Sequence, residues 1–288
     1  MAAHTPLNVA AAQVAAVPGD VAANLRKHLD VIEAARSAQA AVLLFPELSL
    51  TGHGGGAAAL EIALRADSGI VKTLASAAGP MCTTFGLVEE AAGVQFYNAA
   101  VTVRDGAVIH VHRKVNLATY GRLDDGRHFA AGRRVGTFTC AGPWTASSLI
   151  CADTWNPALV HLAALQAATL LLVPVSSARE AVADTFDNPA GWEINTAFHA
   201  LTYGMPLVMA NRVGSEGDLT FWGGSRVLDA HGRVVAKAGT AETLLTARLD
   251  YDDVRTARYR LPTVRDANLR LVRAEIDRIA RAQARTVD

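Results

Sequence analysis

Short apolar runs, each about the length of one strand, recur along the chain between polar and glycine-containing breaks. They fall at 7–14, 42–45, 83–89, 98–103, 108–112, 147–150, 169–173 and 207–210. Runs of this length bounded by turn residues predict strands. Helical spacing takes over in 20–38, after the Pro18-Gly19 break, where Leu25, Leu29 and Ile32 share one face. Residues 157–166 and 192–203 also read as helices. Arg104-Asp105-Gly106 before Val108 and His231-Gly232 before Val234 read as hairpin turns. Hairpins mixed with strand–helix alternation predict an α/β fold of layered sheets covered by helices, in one domain over 1–288.

Composition narrows the classes. Of the 288 residues, 51% are hydrophobic, enough for a large buried core. The formal net charge is zero, which argues against a general nucleic-acid binder. The cysteines, Cys82, Cys140 and Cys151, are odd in number and fit no disulfide framework, so a reducing cytoplasm is expected. Met1 to Leu7 carries no basic segment followed by an apolar run, so no signal peptide is expected. No run approaches the ~18 to 20 apolar residues of a membrane span. Arginine is dense from Asp252 onward, yet Leu269, Val272, Ile276 and Ile279 keep a helical stripe. The 263–285 segment therefore predicts a docking helix rather than a nucleic-acid arm.

Three places at the ends of predicted strands could carry chemistry. In VLLFPELSLTG, Glu47 follows a strand that Pro46 stops. Lys114 ends the run from Val108, and period-2 alternation puts His110, His112 and Lys114 on one face. That face reads most simply as an exposed basic surface; no third ligand at useful spacing supports a metal site. In SSLICADTWNP, Cys151 follows an apolar strand and Pro157 opens a helix just beyond. A strand-to-helix turn exposes a side chain and aims backbone N–H groups at whatever it attacks. Taken singly, each residue has an ordinary structural reading. Together they fill three roles of an acyl transfer: Glu47 as base, Cys151 as nucleophile, and Lys114 with the Ala152 N–H as oxyanion donors.

FPELSLTG, HRKVNL and CADTWNP, in that order, resemble the Glu-Lys-Cys motifs of the nitrilase superfamily of carbon–nitrogen hydrolases. NRVG at 211–214 and FWGGSRVLDAHG at 221–232 resemble its later segments. The resemblance spans roughly 7–249. It implies a four-layer α-β-β-α sandwich with Glu47, Lys114 and Cys151 at one end of the sheets. It also implies hydrolysis of a nonpeptide C–N bond through a thioester, with no cofactor and no metal. Members commonly pair through helices and C-terminal segments, so a homodimer or higher homo-oligomer is expected.

TYGRLDDGRHFAAG is most similar to a loop in the glutamine-amidase domain of glutamine-dependent NAD synthetases. In that register Asp125 takes the place of the family's second glutamate, which positions the lysine and substrate; Asp124 is its neighbour. CADTWNP resembles the same domains, with Ala152 replacing a glutamate. His53 stands where a tyrosine is common, and three glycines follow it. A flexible lid over Glu47, or surface slack, is expected there. Tyr120, Trp155 and Phe186 are candidates to line the pocket beside Ala152. The leading expectation is a free-standing amidase acting on a small carboxamide. An N-carbamoyl amine or amino-acid hydrolase, a nitrile hydrolase, and a non-catalytic or ammonia-supplying partner subunit are the alternatives.

Overall fold

The computed structural model describes residues 6–183 and 185–284. Met1–Thr5, on which part of the signal-peptide expectation rests, and residue 285 of the expected C-terminal helix lie outside them.

Two six-stranded sheets form the centre. The first runs in the order Thr243–Leu249, Leu7–Gln13, Val42–Leu44, Cys82–Ala91, Gln95–Arg104, Ala107–Arg113. The second runs Val234–Lys237, Arg226–Leu228, Leu207–Asn211, Leu170–Val175, Trp144–Ser148, Phe138–Ala141. Each has a parallel centre, made of 7–13, 42–44 and 82–91 in one and 144–148, 170–175 and 207–211 in the other. Antiparallel strands flank both centres.

Alternation along the strands explains the layering. Leu7, Val9 and Ala11 pack into a core shared with Leu170, Leu172, Val208 and Ala210 of the other sheet. Their neighbours Ala10 and Ala12 face the opposite way, with Leu43 and Phe45, beneath the helices Val21–Ser37 and Gly69–Ala78. On the second sheet, Leu171, Val173 and Met209 lie under the helices Pro157–Leu165 and Asn188–Tyr203. Both faces of each parallel centre are covered, which is why strands such as Val42–Leu44 and Leu170–Val175 read as unbroken apolar runs. The result is the expected α-β-β-α sandwich.

Several boundaries and faces differ from the sequence reading. The 147–150 run contributes only Ser147 and Ser148 to a strand that starts at Trp144, because the chain leaves the sheet to form the turn at Cys151. The buried stripe of the first helix is Asn24, His28, Ile32 and Ala35, with Leu25 and Leu29 only partly buried beside it. His112 and Lys114 are buried and His110 stacks on Phe138 at 4.8 Å, so that face of the strand is interior rather than an exposed basic surface. The C-terminal helix spans Leu269–Ala284 and has no buried residue, so its apolar stripe stays exposed among the described residues. Among the described residues no helix is long and apolar enough to cross a membrane.

Candidate active site

Glu47 lies in a tight turn after the strand Val42–Leu44. The turn rests directly on the neighbouring strand at Gly86, where a Cβ would come within 2.2 Å of the Leu48 nitrogen. Only glycine permits that approach. The Leu50 N–H donates to the Gly86 carbonyl at 2.9 Å. From the covering helix, Asn24 Nδ2 donates to the Leu50 carbonyl at 3.1 Å, and His28 Nε2 lies 3.0 Å from Ser49 Oγ. The polar residues in that buried stripe thus hold the Glu47 turn. Glu47 itself is buried and fully engaged. Its Oε1 accepts from Lys114 Nζ at 2.6 Å and Asn98 Nδ2 at 2.8 Å, and its Oε2 accepts from the Ser176 N–H at 2.9 Å.

Lys114 follows the strand Ala107–Arg113 and keeps its register, its N–H donating to the Asn98 carbonyl at 2.9 Å. Its ammonium also donates to Asp125 Oδ2 at 2.7 Å. Asp125 opens the short helix Asp125–His128, and its Oδ2 takes a second bond from the Ala118 N–H at 3.1 Å. Asp124 is exposed and makes no side-chain cap. Of the two adjacent acids, Asp125 is the one at the lysine.

Cys151 begins the 3₁₀ turn Cys151–Trp155 with φ +45°, a left-handed backbone uncommon for a residue with a Cβ. Thr154 Oγ1 donates to the Cys151 carbonyl at 2.8 Å, and Asn195 Nδ2 donates to the Thr154 carbonyl at 3.0 Å. Asp153 joins this turn to the lysine strand. Its Oδ1 accepts from the Val115 and Asn116 N–H groups at 2.9 and 2.7 Å. Its Oδ2 accepts from the Ile150 N–H at 3.0 Å and from His112 Nε2 at 2.8 Å.

The electrostatics follow from burial. Desolvation pushes the Cys151 thiol well above its ordinary value; the negative charges of Glu47 and Asp125 add to this, and Lys114 opposes it. Burial alone would raise Glu47, but the charge of Lys114, then His53 and the hydrogen bonds from Lys114 and Asn98, hold its carboxyl below the ordinary value. Burial would likewise discharge Lys114, yet Glu47 and Asp125 keep its ammonium charged well beyond the usual range. At neutral pH the resting set is therefore a thiol, a carboxylate and an ammonium.

These groups open into a cavity of about 300 Å³ that Glu47, Lys114, Asp125 and Cys151 all line. The predicted Tyr120, Trp155 and Phe186 line it as well; Ala152, the second residue of the turn, has a buried side chain that does not. Ser176, Asn188 and Trp192 were not foreseen. Ser176 reaches Glu47 through its backbone N–H, which leaves no trace in side-chain chemistry. His53 lines the cavity from the turn His53–Gly56. Within that turn the Gly54 N–H donates to Glu216 Oε1 at 2.5 Å.

The carbon-nitrogen hydrolase family profile matches residues 8–259. The chain is 28% identical over 282 residues to a glutamine-dependent NAD(+) synthetase of Thermotoga maritima, covering 92% of this chain and 48% of that one. It thus spans about half the length of that relative. It is 31% identical over 264 residues to an (R)-stereoselective amidase of a Pseudomonas species, covering 90% of each. Among solved structures it is similar to a glutamate-to-glutamine mutant of an amidase from Nesterenkonia sp. AN1, at 25% identity and TM-score 0.77, over 93% of this chain and 96% of that one. That structure shows the acetamide moiety of fluoroacetamide attached to the active-site cysteine. With the same two-sheet sandwich and a match over most of its length, the chain belongs to the carbon-nitrogen hydrolase family of the nitrilase superfamily.

Proposed function

We propose that the protein hydrolyses the C–N bond of a small nonpeptide carboxamide to the acid and ammonia through a thioester on Cys151. The observation that carries this reading is the buried contact of Lys114 with both Glu47 and Asp125 in the cavity that Cys151 lines. Glu47, ionised and lining the same cavity as the thiol, takes its proton as sulfur attacks the amide carbon. The charge that develops on the oxygen is met by the Lys114 ammonium and by the Ala152 N–H, the first amide after the nucleophile. Glu47 then returns the proton to the leaving ammonia, which leaves a neutral thioester. It next takes a proton from water as that water attacks the thioester. Collapse releases the acid and restores the thiol. Asp125 holds the ammonium against Glu47, and the charged pairings keep Lys114 from acting as an amine nucleophile.

Ammonia release across a panel of amides, ureido compounds and nitriles tests the reading. Turnover of simple amides that is abolished in Cys151→Ala, with an acyl adduct on the wild type by intact mass, is the expected result. Normal turnover by the alanine variant would end it. Preferential turnover of ureido compounds would move the assignment to an N-carbamoyl hydrolase. The exposed apolar stripe of Leu269, Val272, Ile276 and Ile279 supports pairing of two or more copies of the chain. Sedimentation of the full chain as a monomer would rule the pairing out.

A further inference from the structure

A second cavity, of about 400 Å³, lies along the outermost strand of the first sheet and shares no lining residue with the candidate active site. It is lined by Arg113, which ends that strand, by Tyr97 and Val111, and by the loop that carries Arg133 and Arg134. The loop is fastened on both sides of the arginine pair. Before the pair, the Gly132 N–H donates to the Lys114 carbonyl at 2.8 Å. A Cβ at Gly132 would collide with the Arg113 carbonyl oxygen, so only glycine permits this approach. After the pair, the Val135 carbonyl accepts from Gln166 Nε2 and the Gly136 carbonyl from Ser147 Oγ, both at 2.9 Å. A loop ordered before its ligand arrives spares part of the entropy that binding costs.

The charges of this cavity do not cancel. Buried Glu89 takes Arg113 in a two-pronged bond, from Nε at 2.6 Å and Nη2 at 2.8 Å, and the guanidinium lies over the Tyr97 ring at 4.3 Å. Among the described residues Arg113 Nη1 has no partner, neither Arg133 nor Arg134 has an ion pair, and no acidic side chain lines the cavity. Three guanidiniums against the one carboxylate of Glu89 leave a formal charge of +2, in a chain whose formal net charge is zero. Guanidinium forks match the oxygens of a phosphate, each fork able to give two parallel N–H bonds. A phosphate monoester carries about −1.5 to −2 at neutral pH and so balances this set. A monocarboxylate would balance only half of it.

We propose that this cavity binds a phosphate dianion, free or carried as the monoester of a small molecule. Arg133 and Arg134 are its main ligands, and Arg113, already oriented by Glu89, is the third.

Isothermal titration of the full chain with inorganic phosphate, glycerol 3-phosphate and acetate tests the inference without depending on turnover. At least one of the two phosphates should bind with a Kd of about 1 mM or below, and acetate at least ~10-fold more weakly. Whichever phosphate binds more tightly names the source. Arg133→Gln combined with Arg134→Gln should weaken that phosphate by ~10-fold or more, the loss expected of charge-assisted bonds. Both side chains are exposed, so the melting temperature of the double variant should match the wild type. Arg270→Gln, on the exposed C-terminal helix, should leave phosphate binding unchanged. Acetate binding as tightly as phosphate would overturn the inference. So would wild-type affinity in the double variant, or an equal loss in Arg270→Gln. Sedimentation with vesicles containing phosphatidic acid addresses the remaining source of the same chemistry. Pelleting with the vesicles, without binding of either soluble phosphate, would assign the arginines to a lipid surface and end the proposal.

Discussion

His112 and Asp153 share a buried hydrogen bond, Nε2 to Oδ2 at 2.8 Å, that ties the strand leading to Lys114 to the turn that begins at Cys151. The other bonds to Asp153 come from backbone N–H groups on both sides of that junction, so one carboxylate sets the spacing of two candidate catalytic groups. Asp153→Asn would turn amide N–H groups either toward the Ile150 N–H and His112 or toward the Val115 and Asn116 N–H groups. Leaving a buried donor unmet costs ~1–3 kcal/mol. The expected outcome is a lower melting temperature and a fall in kcat with little change in KM. Calorimetry and initial rates check it, and a variant matching the wild type in both would remove Asp153 from the positioning role.

Lys114 is buried between two carboxylates, so its charge cannot be removed quietly. Lys114→Ala should lower stability by roughly 3–5 kcal/mol, the usual cost of stranding one side of a buried pair. Lys114→Arg keeps the charge but brings a planar fork that does not fit where a point charge sits between Glu47 and Asp125. Its acylation rate should be nearly as poor as that of the alanine variant, while its stability loss is smaller. Chemical denaturation together with single-turnover acylation separates these effects. Wild-type acylation by Lys114→Arg would show that the lysine serves only as a charge.

Asp125 and Asp124 are adjacent in sequence and differ in setting. Asp125→Asn should cost ~100-fold or more in kcat/KM, because Lys114 Nζ loses an ionic partner at 2.7 Å and can shift by the 1 Å or so that suffices for such a loss. Asp124→Asn, at an exposed side chain, should stay within about twofold. Kinetics of the two variants side by side decide the matter. Equal, mild effects would reduce both residues to turn formers.

The pH dependence of stability has a direction set by buried histidines. Burial pushes His28 down to about 4, against its hydrogen bond to Asn24, and pushes His110 down to about 4 as well. The unfolded chain takes up these protons near pH 6.5, the folded chain only near 4, so the unfolded state binds more protons in between. The stability that the neutral rings contribute is present in full above about pH 6.5 and is lost as pH falls toward 4. For His28 the span corresponds to roughly 3 kcal/mol. Melting temperatures from pH 7 to 4 should fall, and His28→Gln should start lower and fall less steeply. An equal slope in the variant would assign the acid sensitivity to other groups.

What the sequence determined by itself was the set of elements whose signal is local. Apolar runs of strand length marked the parallel centres of both sheets, because strands covered on both faces need no polar alternation. Glu47, Lys114 and Cys151 were legible because each closes such a run beside a recognisable break, and Asp125 because its loop matched a known pattern. The folded chain alone decided how these ends meet and what holds them. Asn24 and His28 are core residues because Val17, Leu50 O and Ser49 Oγ offer them partners, whereas periodicity favours Leu25 and Leu29. Ser176 contributes a backbone N–H to a carboxylate 129 residues away, which side-chain chemistry cannot announce. The strand Thr243–Leu249 carries no such mark, because its pairing is supplied by the distant strand Leu7–Gln13 rather than by its own composition. Local hydrophobicity records which segments must be buried; which polar groups join them is settled only where another part of the chain supplies the hydrogen bond.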